Sequence, residues 1–497
     1  MNVKGDYKIR QIIPRWYPFE HAFLMGEIQT NEKPAVSIWT PASYRHKEQE
    51  WLFYRQLPWA LDFVGTALVS NDLSNTAAVD ASKFILNNSE KVSGLAKSVA
   101  EKFLQFPEPK ADLNLSPSNR RSVIISSLKK HVREYPYNAI AWADMAFYYA
   151  VLCQNEKANL CISIALNLAP ENRFILRSAA RFYLHTKNPE KALFFLRKSE
   201  LTKRDPWLLA SEISISEAFN LRTRNVKIAK NILLTLDATP MDLAELYGTM
   251  GTLEMTHGGN KKGKKLFKSA LIDPNENTLA QAEWVSQNIG LTIERTSKVN
   301  AAFEADSRRF FYDEKYKEAL EEALKWLRFQ PFCSHPVEQA TYIAGTCLND
   351  FKEAVRIVKE ESRCLLNENF LINNNYIFSL ASLDRIQEAE QQLATINFGS
   401  LTERDQGVYQ ATKGLLEFRK GNIEPGRLLY EDAIKRFQKL KEERCVALAT
   451  FYLAREEQRV GHNVKEMTDA VIRLAKKIGI KELLQDVAKD QDKKIII

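Results

Sequence analysis

The stretch AIAWADMAFYYAVLCQNEKANLCISIALNLAPEN, running from Ala139 to Asn172, decides how the rest of this 497-residue chain is read. Trp142, Met145, Ala146 and Tyr149 lie three, four and seven residues apart, so they share one face of a helix. Ala158, Ile162 and Ala165 share one face of a second helix in the same way. The small side chains of Ala146 and Ala158 let the two backbones approach closely, while Trp142 and Tyr149 fill the gap toward the next pair. Pro170 stops the second helix, because it has no N–H to donate and disfavours helix in the residue before it. One such hairpin cannot bury its apolar face alone, so several must stack.

This spacing resembles the tetratricopeptide repeat, whose pattern is W-x2-L-G-x2-Y, then A-x3-F, then P, in a period of about 34 residues. Met145, Ala146 and Ile162 depart from the pattern but keep its size classes. The resemblance implies an all-α fold, a superhelical solenoid of antiparallel helix pairs, and a role in binding other proteins.

Further units of the same kind are read outward from this one. Leu176, Ala179, Ala180, Tyr183, Ala192 and Leu196 form one, with Pro206 two residues late, and a degenerate pair surrounds Ala229. Tyr247, Met250, Gly251, Gly263, Phe267 and Ala270 form another before Pro274, with a further helix or partial repeat over 278–295. Phe303, Phe310, Ala319, Ala323, Trp326 and Pro331 mark the next, and weaker units centre on Ala354 and Ala389. Gly414, Gly421, Gly426, Tyr430 and Ala433 mark a late one, followed by a last pair from Arg444 to about residue 477. Toward the N-terminus, Leu61, Val64, Gly65 and Leu68 with Ala77, Ala81 and Phe84 repeat the spacing weakly.

The expected organisation is therefore a small irregular N-terminal cap or accessory segment over 1–57, with degenerate repeats over 58–138 interrupted by an exposed loop at 106–119. Repeats at 139–295 carry a basic block, C-terminal repeats occupy 296–480, and 481–497 form a tail. Prolines 14, 18, 34, 41 and 58 break the first segment, in which Trp16, Tyr17, Pro18 and Phe19 read as a packed aromatic anchor and 22–39 as a short helix followed by an extended piece.

Composition is that of an ordinary soluble chain, with 45% hydrophobic and 27% charged residues. No apolar run reaches the length of a membrane span and no signal-peptide core follows Met1, so no membrane association is expected. The six cysteines show no C-x2-C pairing, which suits a reduced, cytoplasmic compartment.

No catalytic signature stands out, and neither an enzyme, a metal nor a cofactor is expected. Gly258, Gly263 and Lys264 fit the G-x4-G-K of a phosphate-binding loop, but Lys265 stands where Ser or Thr would hold magnesium and a helical segment precedes it. Arg455 and His462 suit the Arg-His pair of HEPN-type ribonucleases only if they meet in space, and Gly461 puts His462 in a turn. The other histidines are scattered without metal-ligand spacing.

Charge is more informative. Between Arg173 and Lys268 there are 18 Lys and Arg against 9 Asp and Glu, while the whole chain carries a net +8. Arg173, Arg177 and Arg181 are spaced by four and form a stripe on the first helix of their repeat. In tetratricopeptide arrays residues one and two turns into the first helix face the concave groove, which places Arg177, Arg181, Arg308 and Asn374 there. Arginines on a groove suit carboxylates or phosphates. The arrangement is similar to the carboxylate clamp of chaperone-binding tetratricopeptide domains. Those combine Lys and Asn, however, whereas the neighbouring helix offers Ala143 and Phe147, so a chaperone tail is not expected.

The reading this supports is a non-catalytic scaffold or adaptor holding a partner protein or peptide, acidic by preference, in the groove. The alternative is a nucleic-acid-associated component or regulatory subunit whose basic block meets RNA or DNA phosphates. Oligomeric state is not legible.

Overall fold

Small residues on facing helices, side-chain caps at helix starts and one left-handed residue per turn generate the architecture. The computed structural model describes residues 10–19, 41–69, 75–104, 117–236, 238–289, 299, 301–331, 333–361, 365, 369–480 and 483. The expected short helix and extended piece at 22–39, most of the 106–119 loop and nearly all of the 481–497 tail lie outside these. The described residues hold helices and turns and no strand. The chain divides into two compact units, the first with described residues 10–282, 299, 301 and 302, the second with 283–289 and those from 303 on.

The first unit opens with α1 (Pro41–Tyr54), α2 (Leu57–Val69), α3 (Thr76–Asn87), α4 (Gly94–Leu104) and α5 (Pro117–Glu134). The pair read first, α6 (Ala139–Val151) and α7 (Asn155–Leu168), follows, with α8 (Arg173–His185) and α9 (Pro189–Lys198) after it. Then come α10 (Pro206–Ala218), α11 (Val226–Thr235), α12 (Pro240–Thr256), α13 (Asn260–Ala270) and α14 (Glu276–Ile289). The later helices are α15 (Phe303–Tyr312), α16 (Tyr316–Phe329), α17 (Ser334–Tyr342), α18 (Phe351–Arg356), α19 (Phe370–Ser382) and α20 (Ile386–Leu393). Four long ones end the chain's described part: α21 (Glu403–Arg419), α22 (Ile423–Lys439), α23 (Glu443–Arg459) and α24 (Lys465–Ile478). Within each unit the described residues form an all-α, solenoid-type arrangement of antiparallel helix pairs.

Starts are set by caps. Asn138, Asn172 and Asn188 accept hydrogen bonds from the amides of Ala141, Ile175 and Lys191, and Asp205 accepts from Trp207 and Leu208. Pro206 therefore begins α10 at its first turn, where its missing N–H goes unmissed, and does not end the helix before it as its position two residues late in the pattern suggested. Turns within pairs contain one residue of positive φ: Cys153, Lys187, Asn220 and Gly258 in the first unit, and Glu314, Asn349, Asp384, Gly421 and Gly461 in the second.

Part of 1–57 is more regular than the expected irregular cap. Pro41 starts α1, whose Trp51 is buried in a cluster with Phe63, Val64, Ala81, Ile85 and Phe103. Residues 10–19 form no regular element before Phe19, contain a tight turn closed by the Ile13 amide on the Gln11 carbonyl at 3.0 Å, and lie against helices of the first unit well beyond the first repeat.

Glycine is required at the crossing of α21 with α22. A Cβ on Gly414 would come within 3.0 Å of the Gly426 carbonyl oxygen, and one on Gly426 within 2.9 Å of the Gly414 oxygen. Backbone oxygens cannot retreat as a side chain can. Gly426→Val is expected to lower stability by about 2 kcal/mol or more through overpacking. Gly65→Ala, in α2 with nothing within 4 Å of the new methyl, should leave it unchanged or raise it by about 1 kcal/mol. Urea denaturation of the two variants reads both effects.

Candidate functional site

The arginine stripe of α8 faces inward, but its first two members are engaged there. Arg177 is 3% exposed and donates from Nη1 to Glu245 Oε2 at 2.7 Å and from Nη2 to Oε1 at 3.1 Å, with its guanidinium 4.9 Å from the Trp207 ring centroid. Arg173 donates to Asp205, and its guanidinium also lies over Trp207. Arg181 is half-buried. Burial pushes Glu245 up, and the charge and hydrogen bonds of Arg177, with those from Asn275 and Asn277, more than reverse this and hold it below the ordinary carboxylate value. Arg177 is thus a core residue, and the expectation that it presents an open guanidinium to a partner does not fit this geometry. Arg197 is similarly paired with the buried Glu212 at 2.6 Å. Much of the inward-facing charge of the basic block is neutralised within the chain.

The second unit has an open hollow. A cavity of about 520 Å³ is lined by five successive first helices, α15, α17, α19, α21 and α23, with Tyr430 and Phe437 behind them. The lining residues follow the helical repeat: Leu371, Asn374, Asn375 and Phe378 on α19, for example, and Cys445, Leu448, Ala449 and Tyr452 on α23. Each first helix therefore contributes one stripe, and the stripes converge on one space.

Arg308 and Asn374, singled out from the sequence, both lie on this lining. Arg308 is paired with Glu304 at 3.2 Å. Asn374 is 7% exposed, and its Oδ1 is buried with no hydrogen-bond partner among the described residues. Three groups missed in the sequence join them. Arg404 lies 3.6 Å from Asp405 and 3.8 Å from Glu442. Arg444 donates to the Tyr342 hydroxyl at 3.0 Å from beside its ring. His335 has Nδ1 3.7 Å from the Cys333 sulfur. Among the described residues the lining holds one carboxylate, Glu338, which accepts from Asn369 at 2.6 Å. Arg404, Arg444 and His335 all stand at the second residue of their helices, about one turn ahead of the positions that Arg308 and Asn374 occupy, so the groove rule applied to the sequence passed over them.

His335 is held up at about 9, chiefly by its hydrogen bond with and the charge of Cys333, then by Glu338 and Glu304. The shift favours the imidazolium at neutral pH, held against the Cys333 sulfur. A histidine raised above its unfolded value contributes stability that is complete below pH 6.5 and lost as pH rises through about 9.

The other chemical candidates do not assemble. Gly258, with φ of +84°, forms the turn between α12 and α13, and Gly263 packs against the Gly251 carbonyl within a helix, so no phosphate-binding loop is built. His462 bonds to Glu457 and Arg427, while Arg455 stacks on Tyr452 at 4.7 Å, so the two keep separate partners. Among the described residues no cluster of metal-ligating side chains occurs, and no helix is long and apolar enough to cross a membrane.

Comparison with known proteins is sparse: no family model and no curated protein matches the chain. Among solved structures, the crystal structure of yeast Tom70 is similar at 13% identity, covering 88% of this chain and 96% of that one, with a TM-score of 0.29.

Two predictions follow from these geometries. Arg177→Met leaves Glu245 buried without its counter-charge and should cost about 3–5 kcal/mol in urea denaturation; a loss under about 1 kcal/mol would make the pair dispensable. The His335 imidazole should titrate near pH 9 by NMR, and Cys333→Ser should bring it back toward 6.5. A midpoint unmoved by that substitution would remove the sulfur as its cause.

Proposed function

We propose that the second unit is a non-catalytic docking module that holds a segment of a partner protein in the cavity formed by α15, α17, α19, α21 and α23. The observation that carries this reading is the convergence of five successive helix stripes on one hollow, with an apolar floor and a polar rim. Phe311, Leu371, Phe378, Val408 and Leu448 supply the floor. Hollows of this size and makeup are where proteins bind extended peptides and small ligands.

Charge favours a peptide bearing carboxylates. Among the described residues on the lining, Arg308, Arg404, Arg444 and His335 outnumber the carboxylate of Glu338, although Glu304 pairs with Arg308 and Asp405 and Glu442 lie 3.6 and 3.8 Å from Arg404. Attraction of this kind acts mainly on encounter rate and orientation, while the apolar floor supplies most of the affinity. The buried Asn374 amide adds a short-range polar contact of the sort that fixes a main chain in register. This is the acidic preference expected from composition, moved from the basic block to a different set of arginines.

Peptide display selection on the intact chain tests the reading. Selected sequences should be enriched in Asp and Glu beside one or two large apolar residues. Arg404→Glu combined with Arg444→Glu should weaken the selected peptides at least tenfold by fluorescence anisotropy, with little change in thermal midpoint. Selected peptides without acidic enrichment, or binding indifferent to the double substitution, would overturn it.

A further inference from the structure

In the first unit the helices already hold a non-helical peptide, and the peptide is the chain's own residues 10–19. Residues 10–19, RQIIPRWYPF, lie across α6, α8, α12 and α14. The way they are held is that of a ligand. Side-chain amides and a carboxylate on the helices bond to the main chain of the segment. Asn277 Nδ2 donates to the Ile13 carbonyl at 3.0 Å, Gln281 Nε2 donates to the Arg10 carbonyl, and Asp144 accepts from the Phe19 amide at 2.9 Å. Main-chain contacts of this type hold an extended peptide in register whatever its sequence.

Specific seats then read its side chains. Trp16 is 1% exposed and meets Phe147 and Phe182 edge-on at 5.3 and 5.9 Å. Ile12 fills the space left by Gly248, where a Cβ would come within 2.6 Å of its Cδ1. Arg10 donates to Gln281 Oε1 at 3.0 Å, Tyr17 donates to Glu276 Oε1 at 3.0 Å, and Arg15 lies 3.6 Å from the same oxygen. Pro14 and Pro18 fix φ at two positions of the segment, which lowers the entropy lost on docking.

The charge on this face runs opposite to the composition of the surrounding block. The segment brings two arginines and no carboxylate, and Glu276 and Asp144 receive it. We infer that this face is a second peptide-docking surface, that residues 10–19 are its built-in occupant, and that it takes partner segments of the same chemistry: basic, proline-punctuated and anchored by an aromatic residue. Such a partner gains the face by displacing the segment. The tether gives the segment a high local concentration, so an external peptide competes poorly until the tether is cut or the segment is drawn off by another contact.

The experiment uses the full chain with a protease site inserted between Phe19 and Pro41, leaving the segment seated but no longer covalently joined after cleavage. A fluorescein-labelled synthetic peptide of residues 10–19 is then titrated in. Saturable binding to the cut chain, at least tenfold tighter than to the uncut chain and at least tenfold weaker for the peptide carrying Trp16→Ala, is the expected result. Failure of the cut chain to accept the label while its helical circular dichroism persists would overturn the proposal. So would loss of helicity on cutting, which would make the segment an integral part of the core, or equal binding to cut and uncut chains.

Discussion

The close approach of two helix backbones within each pair is the constraint on which the rest depends. It is made by small residues twelve positions apart: Ala146 with Ala158, Ala180 with Ala192, Gly251 with Gly263, Gly414 with Gly426. Ser307 and Ala319 occupy the same relation, and the serine hydroxyl donates to the Ala319 carbonyl at 2.8 Å. Where the backbones touch, the second helix of a pair is fixed against the first. The first helices of successive pairs are then left side by side, and in the second unit their stripes converge on one hollow.

The turn between the two helices is the second element of that geometry. One residue adopts the left-handed conformation, and the amide that follows bonds back to the first helix, as Gln154 does to the Tyr149 carbonyl at 2.9 Å and Asn422 to that of Glu417 at 2.9 Å. A non-glycine residue there costs roughly 1 kcal/mol, which packing of the pair offsets. Gly258, Gly421 and Gly461 could be read as turns from the sequence. Cys153, Lys187, Glu314 and Asp384 could not, because nothing in their side chains asks for that conformation.

Each unit uses its inner face differently. In the first, carboxylates dominate the contacts: Glu245 holds Arg177, while Glu276 and Asp144 hold the N-terminal segment. Burial pushes Glu276 above the ordinary carboxylate value against the opposing charge of Arg15. In the second, arginines and a protonated histidine line an open hollow. The first helices of the two units thus carry different charged groups inward: Asp144 on α6 and Glu245 on α12 in the first, Arg404 on α21 and Arg444 on α23 in the second.

Local pattern alone determined the helix pairs, because positions three, four and seven apart must share a helix face whatever surrounds them. That logic placed Trp142, Ala146, Tyr149, Ala158 and Ala165 in one hairpin, and the resemblance to tetratricopeptide arrays then put Arg308 and Asn374 on the groove face. It also marked Trp16 to Phe19 as an anchor without saying what they anchor to. Only the tertiary structure decided which inward residues stay open. Arg177 and Glu245 are 68 residues apart, and Arg10 and Gln281 are 271 apart. Whether a groove arginine meets a partner or a buried carboxylate depends on which side chain stacking brings opposite it, and helical periodicity carries no information about that.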